Sequence, residues 1–235
     1  KRNFMLSLFC LLFFATTCLA QDSTDLEVKS KVPPALKEYK GRTIAQTMHY
    51  AGAPWLIRES RQREEDCERM LANLGVKEGM TICDMGCGNG FYSLQLATMV
   101  GEECRVLAVD VQPEMLKLLR DRMEKHGIEH ISPILGSYHN PRLPAGEVDI
   151  MFCVDVYHEF SHPEQMLKHM HDSLKPDGVV VLLEFRSEDP DVPIKPLHKM
   201  SKKQIMKEFP PNGFKLVKEY DKLPWQHMVW FGKDE

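Results

Sequence analysis

A chain of 235 residues with 43% hydrophobic residues is long enough for one domain with a sizeable core. Its formal net charge of −4 leaves no basic footprint of the kind that binds nucleic acid. Beyond the first twenty residues lie Cys67, Cys83, Cys87, Cys104 and Cys153, an odd set without C-x-x-C, which argues against a disulfide framework or a structural zinc site.

The N-terminus reads as a secretory signal peptide. Lys1 and Arg2 precede the apolar run FMLSLFCLLFFA, and TTCLA leads into polar QDSTD, the order of n-region, h-region and small-residue exit. The run is shorter than the roughly 20 residues that span a bilayer. Cleavage after Ala20 is therefore expected, with the protein exported to the periplasm or the exterior and no stable membrane span left behind. Residues 21–34, polar and ending in Pro33-Pro34, read as a linker, and 35–74 as a helical lid segment before a domain at 75–235.

A helix is predicted from Trp55 to Leu74. Glu59/Arg63 and Arg61/Glu65 are i,i+4 pairs, Cys67, Met70, Leu71 and Leu74 mark an apolar face, and Gly75 stops it. Its charge run RESRQREED reads as a solvated face. Alternation then begins: strand TICDM, helix FYSLQLATMV closed by Gly101, strand RVLAVD, helix PEMLKLLRDRMEKH closed by Gly127. Strands ISPIL and VDIMFCVD follow, the second nearly all apolar as a central parallel strand should be. The helix PEQMLKHMHDSLKPDG, the strand GVVVLLEF, the short helix SKKQIMKEF and the strands FKLVKEY and HMVWFG complete the chain. This order predicts an α/β doubly wound three-layer sandwich around a mainly parallel seven-stranded sheet. Cys83 and Cys153, inside apolar strands, are expected to be small buried hydrophobes, and one incidental disulfide stays open.

In such a sheet a ligand sits beyond the carboxyl ends of the strands, where strand order reverses. The first strand runs into CDMGCGNGFY, in which Gly86, Gly88 and Gly90 make G-x-G-x-G. The dinucleotide pattern needs its third glycine where Phe91 stands, and the Gly-Lys-Ser/Thr of a phosphate loop is absent. Asp84 would repel phosphate and attract an ammonium, while Asp110 ends the second strand and offers a carboxylate to a ribose diol. A ligand with a ribose, a cationic amino-acid group and no phosphate is S-adenosylmethionine.

At this point ICDMGCGNG, VLAVD and VDIMFCVD resemble the successive motifs of class I S-adenosylmethionine-dependent methyltransferases, from about Leu74 to the C-terminus. The resemblance implies the Rossmann-like fold of that family with an antiparallel last strand, and methyl transfer to an acceptor, expected here to be a small molecule and not nucleic acid. It implies that Asp84, Gly86, Gly88 and Gly90 hold the methionine end of the cofactor, with Cys87 and Asn89 of the same loop counted among the cofactor-binding residues, although Cys87 reads first as a small residue that fits the loop. Asp110 and Val111 would take the ribose. Ser137 stands where that family commonly has an aspartate for the adenine amine, so Ser137, Tyr138 or a backbone carbonyl would replace it. Asp155 would lie near the amino-acid end, with Tyr157, His158 and Glu159 near the acceptor and His158 or Glu159 as base. An exported protein that binds the cofactor without turnover is the alternative, which a blocked acceptor pocket would favour.

HEFSH, residues 158–162, also matches the zinc-protease pattern H-E-x-x-H. That chemistry needs both histidines on one continuous helix, and Pro163 disfavours α conformation at His162. Ser161 and Glu164 instead suggest a capping box starting the next helix, so no metal ligand is assigned. Trp55 either covers the pocket or packs on the core. The basic stretch Lys195, His198, Lys199, Lys202 and Lys203 reads as a solvated helix face, with a site for an acidic acceptor as the other reading.

Overall fold

The computed structural model describes residues 32–101 and 105–234. The expected signal peptide, most of the expected linker and Cys104 lie outside the described residues.

Seven strands form one sheet: β1 (Thr81–Met85), β2 (Arg105–Asp110), β3 (Ile131–Leu135), β4 (Val148–Val154), β5 (Leu174–Phe185), β6 (Phe214–Tyr220) and β7 (Gln226–Lys233). Their order across the sheet is β3-β2-β1-β4-β5-β7-β6. The first five are parallel, and β7 runs antiparallel between β5 and β6. This is the predicted doubly wound sandwich. Its period-two strands feed two cores: Ile82, Val106 and Phe152 point to one face, Cys83, Leu107 and Met151 to the other. Helices α1 (Arg61–Glu65), α2 (Cys67–Asn73), α3 (Phe91–Val100) and α4 (Pro113–His126) precede β3 in the chain, and α2, α3 and α4 cover the first face. Helices α5 (Pro163–Ser173) and α6 (Lys202–Glu208) cover the second. Cys67, Cys83, Cys87 and Cys153 are buried free thiols.

Three local expectations change. The helix expected from Trp55 to Leu74 is broken: a 3₁₀ turn spans Tyr50–Ile57, and Asp66, in the left-handed region at φ 52°, separates α1 from α2. Aspartate tolerates that conformation, and its side chain caps α2 by accepting from the Arg69 N–H. The segment 35–74 is accordingly only partly helical, and it also holds a two-residue hairpin, Glu38–Tyr39 with Arg42–Thr43. Helix α5 ends at Ser173, because Pro176 excludes helix at Lys175 and Leu174 already pairs with Val148. At its start no capping box forms: His162 is the N-cap without a side-chain bond to the helix, Pro163 occupies the first turn, and Ser161 Oγ bonds His162 Nδ1 at 3.0 Å.

Among the described residues no helix is long and apolar enough to cross a membrane.

Candidate active site

Because β1 leads outward to β2 and β3 while the chain later returns to β4 on its other side, the crevice lies between the carboxyl ends of β1 and β4. A cavity of about 700 Å³ opens there, within the range of small-molecule sites. Of the sequence-predicted residues, Gly86, Gly88, Asp110, Val111, Ser137 and Tyr138 line it. So do Asp155, His158 and Glu159.

The glycine loop needs its glycines for conformation and close approach. Gly86 has φ 72° and Gly88 φ 53°. A Cβ at Gly86 would overlap Val156, and one at Gly88 would overlap Leu56, which reaches over the loop from the N-terminal segment. Gly88 N–H donates to Asp110 Oδ2 at 2.9 Å, and Gln112 N–H donates to Asp110 Oδ1 at 2.8 Å. These bonds favour the charged form, but burial outweighs them and raises the Asp110 pKa.

Asp84, Cys87, Asn89 and Gly90, expected to hold the cofactor directly, are not among the cavity-lining residues. Asp84 accepts from Ser93 Oγ beneath the loop, and burial pushes its carboxyl up to about 6. Asn89 donates to the Ala53 carbonyl at 3.0 Å and accepts from Arg122. Cys87 is buried, and a Cβ at Gly90 would overlap Leu119 of α4. These four shape the loop from behind.

Asp155 sits just past β4 at φ 51°. Its Oδ2 accepts from Gln226 Nε2 at 2.7 Å, whereas Oδ1 is buried with no partner among the described residues. Burial, reinforced by the carboxylates of Glu65 and Glu184, holds it well above the usual carboxylate range. Arg61 also lines the cavity and is only 4% exposed. It donates to Glu65 Oε2 at 2.8 Å and to the Leu56 carbonyl at 2.7 Å, and the ring of Phe91 lies 4.4 Å from its guanidinium. The charge run expected to be a solvated face is thus partly interior. The i,i+4 spacing of Arg61 and Glu65 was visible in the sequence; the burial was not.

The acceptor-side candidates are held as firmly. His158, 2% exposed, donates Nδ1–H to Glu184 Oε2 at 2.7 Å, and its backbone N–H reaches Glu184 Oε1 at 3.2 Å. Its Nε2 lies 3.0 Å from His198 Nδ1. Burial lowers the His158 pKa, but Glu184 and Glu159 more than offset it, so the net shift is upward. Glu159 accepts from the Met48 N–H at 3.2 Å, and burial lifts its carboxyl to about 7. The turn Tyr157–Glu159 that carries both is fixed from outside. Arg42 pairs with Glu208 at 2.7 Å and donates to the His158 carbonyl, while Tyr157 donates to Glu208 at 2.8 Å. His162 points elsewhere, its Nε2–H donating to the Pro33 carbonyl at 2.9 Å.

Sequence reasoning missed Glu184, the one charged residue in the apolar run GVVVLLEF of β5 and so a visible signal. It also missed Gln112, whose amide clamps the N-terminal segment by donating to the Met48 carbonyl and accepting from Tyr50 N–H. Trp55 lines the cavity with the Arg58 guanidinium 3.6 Å from its ring. The basic stretch divides: Lys195 and His198 line the cavity, whereas Lys202 pairs with Glu219 and Asp221.

Residues 76–229 match the methyltransferase-domain family, well over half of the chain. The chain belongs to this family. It is similar to the ubiquinone/menaquinone biosynthesis C-methyltransferase of Azotobacter vinelandii, 30% identical over 62% of this chain and 60% of that one. The tRNA U34 carboxymethyltransferase of Desulfotalea psychrophila is 28% identical over 51% of this chain and 37% of its own length. The chain therefore spans about three fifths or less of these two curated relatives. Among solved structures, a SAM-dependent methyltransferase from Aquifex aeolicus superposes with a TM-score of 0.74 at 27% identity, covering 79% of this chain and 98% of that one. S-adenosylmethionine is the cofactor that this family and fold imply.

Proposed function

We propose that the protein transfers a methyl group from S-adenosylmethionine to a small-molecule acceptor. The observation that carries this reading is the pair of unlike ends built at one crevice. Asp110 closes β2, and Asp155 follows β4, two strand spacings away or about 10 Å, with the open glycine loop between them. Asp110 keeps unused lone pairs for a diol. The Asp155 Oδ1, without a partner among the described residues, offers a hydrogen-bond acceptor to an ammonium, and the Arg61 guanidinium offers a positive charge to a carboxylate, the two ends of an amino-acid group. The donor set, the glycine cradle and the orphaned carboxylate oxygen fit the cofactor without a phosphate site.

The bound cofactor supplies an electrophilic methyl group on sulfur. The chain's own contribution is to place the acceptor in line and to handle its proton. His158, oriented by Glu184 and raised in pKa by it and by Glu159, and Glu159, lifted by burial to about 7, serve there. The cavity continues past Asp155 to His158, Ile194, Lys195 and His198. That room supports turnover over mere retention of the cofactor. Phe160, Phe185, Pro193 and Ile194 give it apolar walls, which suit a compact organic acceptor better than a polyanion. Calorimetry with S-adenosylmethionine and its demethylated product tests the cofactor, and a metabolite screen with labelled methyl donor tests the acceptor. A folded protein that binds neither ligand would remove the reading.

The same proposal includes export, supported by Lys1-Arg2 and the apolar run after it. Residues 1–30 fused to a reporter active only outside the cytoplasm should give signal, with a mature N-terminus near Gln21. A full-length cytoplasmic product would reverse this part.

A further inference from the structure

Three side chains that no single motif groups together converge on one wall of the cavity. His158 Nε2 is 3.0 Å from His198 Nδ1, and Glu159 Oε1 is 4.0 Å from each of them. A triangle with those sides contains a point roughly 2.2 Å from every corner, at the upper end of the about 2.0–2.2 Å typical of zinc bonds to imidazole nitrogen and carboxylate oxygen. Only one proton fits between two imidazole nitrogens at hydrogen-bond distance. An ion in that place would replace the shared proton and draw the carboxylate in as a third ligand.

The support behind these atoms is independent of their convergence. Glu184 is fully buried and takes the Nδ1–H of His158 at 2.7 Å. A carboxylate behind a histidine in this way fixes the tautomer of a metal-bound imidazole and aims the lone pair of its other nitrogen. Glu184 is itself held in register by the sheet, opposite His227 of β7. His158, Glu159 and His198 all line the cavity, so the remaining coordination positions face it, as in catalytic sites and unlike closed structural ones.

We propose that His158, Glu159 and His198 bind one divalent transition-metal ion of the zinc class, with its open positions toward the acceptor. Two imidazoles and one carboxylate suit zinc and its first-row neighbours and not magnesium or calcium. The site is distinct from the H-E-x-x-H pattern, because His162 is bonded to Pro33 and the third ligand comes from the turn Pro196–His198. The use of the ion rests on the methyl-transfer reading: with His158 and Glu159 engaged as ligands, the ion would replace them as the deprotonating device, taking the acceptor's oxygen as a ligand and favouring its deprotonated form. The acceptor class is then a small molecule with a ligating hydroxyl.

The test uses the full chain stripped of metal and titrated with Zn²⁺, and with Co²⁺ as a visible-absorbing probe. One ion per chain is expected by elemental analysis after dialysis. Glu184→Gln, which keeps the shape of the side chain, should weaken binding about 10–100-fold. His198→Ala truncates a side chain that is 34% exposed, so folding should survive, and loss of a direct ligand should weaken binding at least as much as loss of its support. His162→Ala should leave metal affinity unchanged. No stoichiometric ion on a folded wild-type chain, or equal affinity in wild type and His198→Ala, would overturn the site. A loss in His162→Ala matching that in His198→Ala would overturn it too, in favour of the sequence motif. Binding of S-adenosylhomocysteine, measured on the same samples, separates the two readings: retained there without metal uptake, it removes the metal site and leaves the methyltransferase reading standing.

Discussion

The two halves of the cavity are built by different means. The cofactor half is made largely of backbone and strand ends: the glycine loop after β1, Asp110 at the end of β2 and Asp155 past β4. The acceptor half is made of side chains from distant segments, His158, Glu159, Glu184 and His198, held with the Met48 N–H through buried and partly buried polar contacts. The first kind of site follows from topology, since any doubly wound sheet opens a crevice at its switch point. The second depends on each buried polar group finding its partner.

The strongest way to break this division is His158→Ala. If the acceptor half only handles the acceptor, turnover should fall about 10²–10⁴-fold, the usual scale for a proton-transfer group, while cofactor affinity measured by calorimetry stays nearly unchanged. His162→Ala, on a side chain committed to Pro33, should do little to turnover. Equal losses in both variants would mean that the H-E-x-x-H stretch acts as one unit.

Arg61 tests the boundary between the halves and the body of the protein. Arg61→Ala leaves the fully buried Glu65 with Arg58 as its remaining cation. Breaking a buried pair costs roughly 3–5 kcal/mol, and the surviving Arg58 contact places this case near the lower figure. Denaturant unfolding should show that loss, with weakened cofactor binding beside it. A variant as stable as wild type would restore the solvated-face reading of the charge run.

Asp110→Ala sharpens the cofactor half. A hydrogen bond to a charged group is worth about 1.5–3 kcal/mol, so affinity for the cofactor or its product should drop on the order of tenfold to a hundredfold. Unchanged affinity would move the ribose elsewhere in the cavity.

The same division explains what the sequence made legible. Strand and helix order came through because each element carries its own periodicity, and ISPIL and FKLVKEY coincide with β3 and β6. Gly86, Gly88 and Asp110 line the cavity because the switch point lies at a fixed place in that order. What stayed hidden depends on tertiary burial. Arg61 and Glu65 read as surface charges until α1 is packed under the N-terminal segment, and Asp66 broke a helix that periodicity alone would continue. His198 lies forty residues from His158 in a stretch that reads as basic surface, so no local spacing joins them. Asp84 differs in the other direction: it is in the glycine-loop motif, yet its side chain bonds Ser93 and is not among those lining the cavity.

Asp84 therefore yields a prediction about stability. Burial raises its carboxyl from an ordinary 3.8 to about 6 in the folded chain, with Ser93 pulling the other way. The native state thus binds this proton more tightly than the unfolded chain does. Its contribution to stability is complete at low pH, below the unfolded value, and is lost as pH rises through about 6. Asp84→Asn abolishes the titration while keeping an oxygen that accepts from the Ser93 hydroxyl. The stability of wild type relative to this variant should then rise by about 1.4 kcal/mol as pH falls from about 7.5 to about 5, the linkage value for one such group. Thermal or urea unfolding of both proteins at each pH, without cofactor, measures it. The two proteins share every other titrating group, so their difference isolates Asp84. A difference that stays flat with pH, or grows with rising pH, would mean that Asp84 remains solvated or ion-paired at the loop and faces the cavity after all.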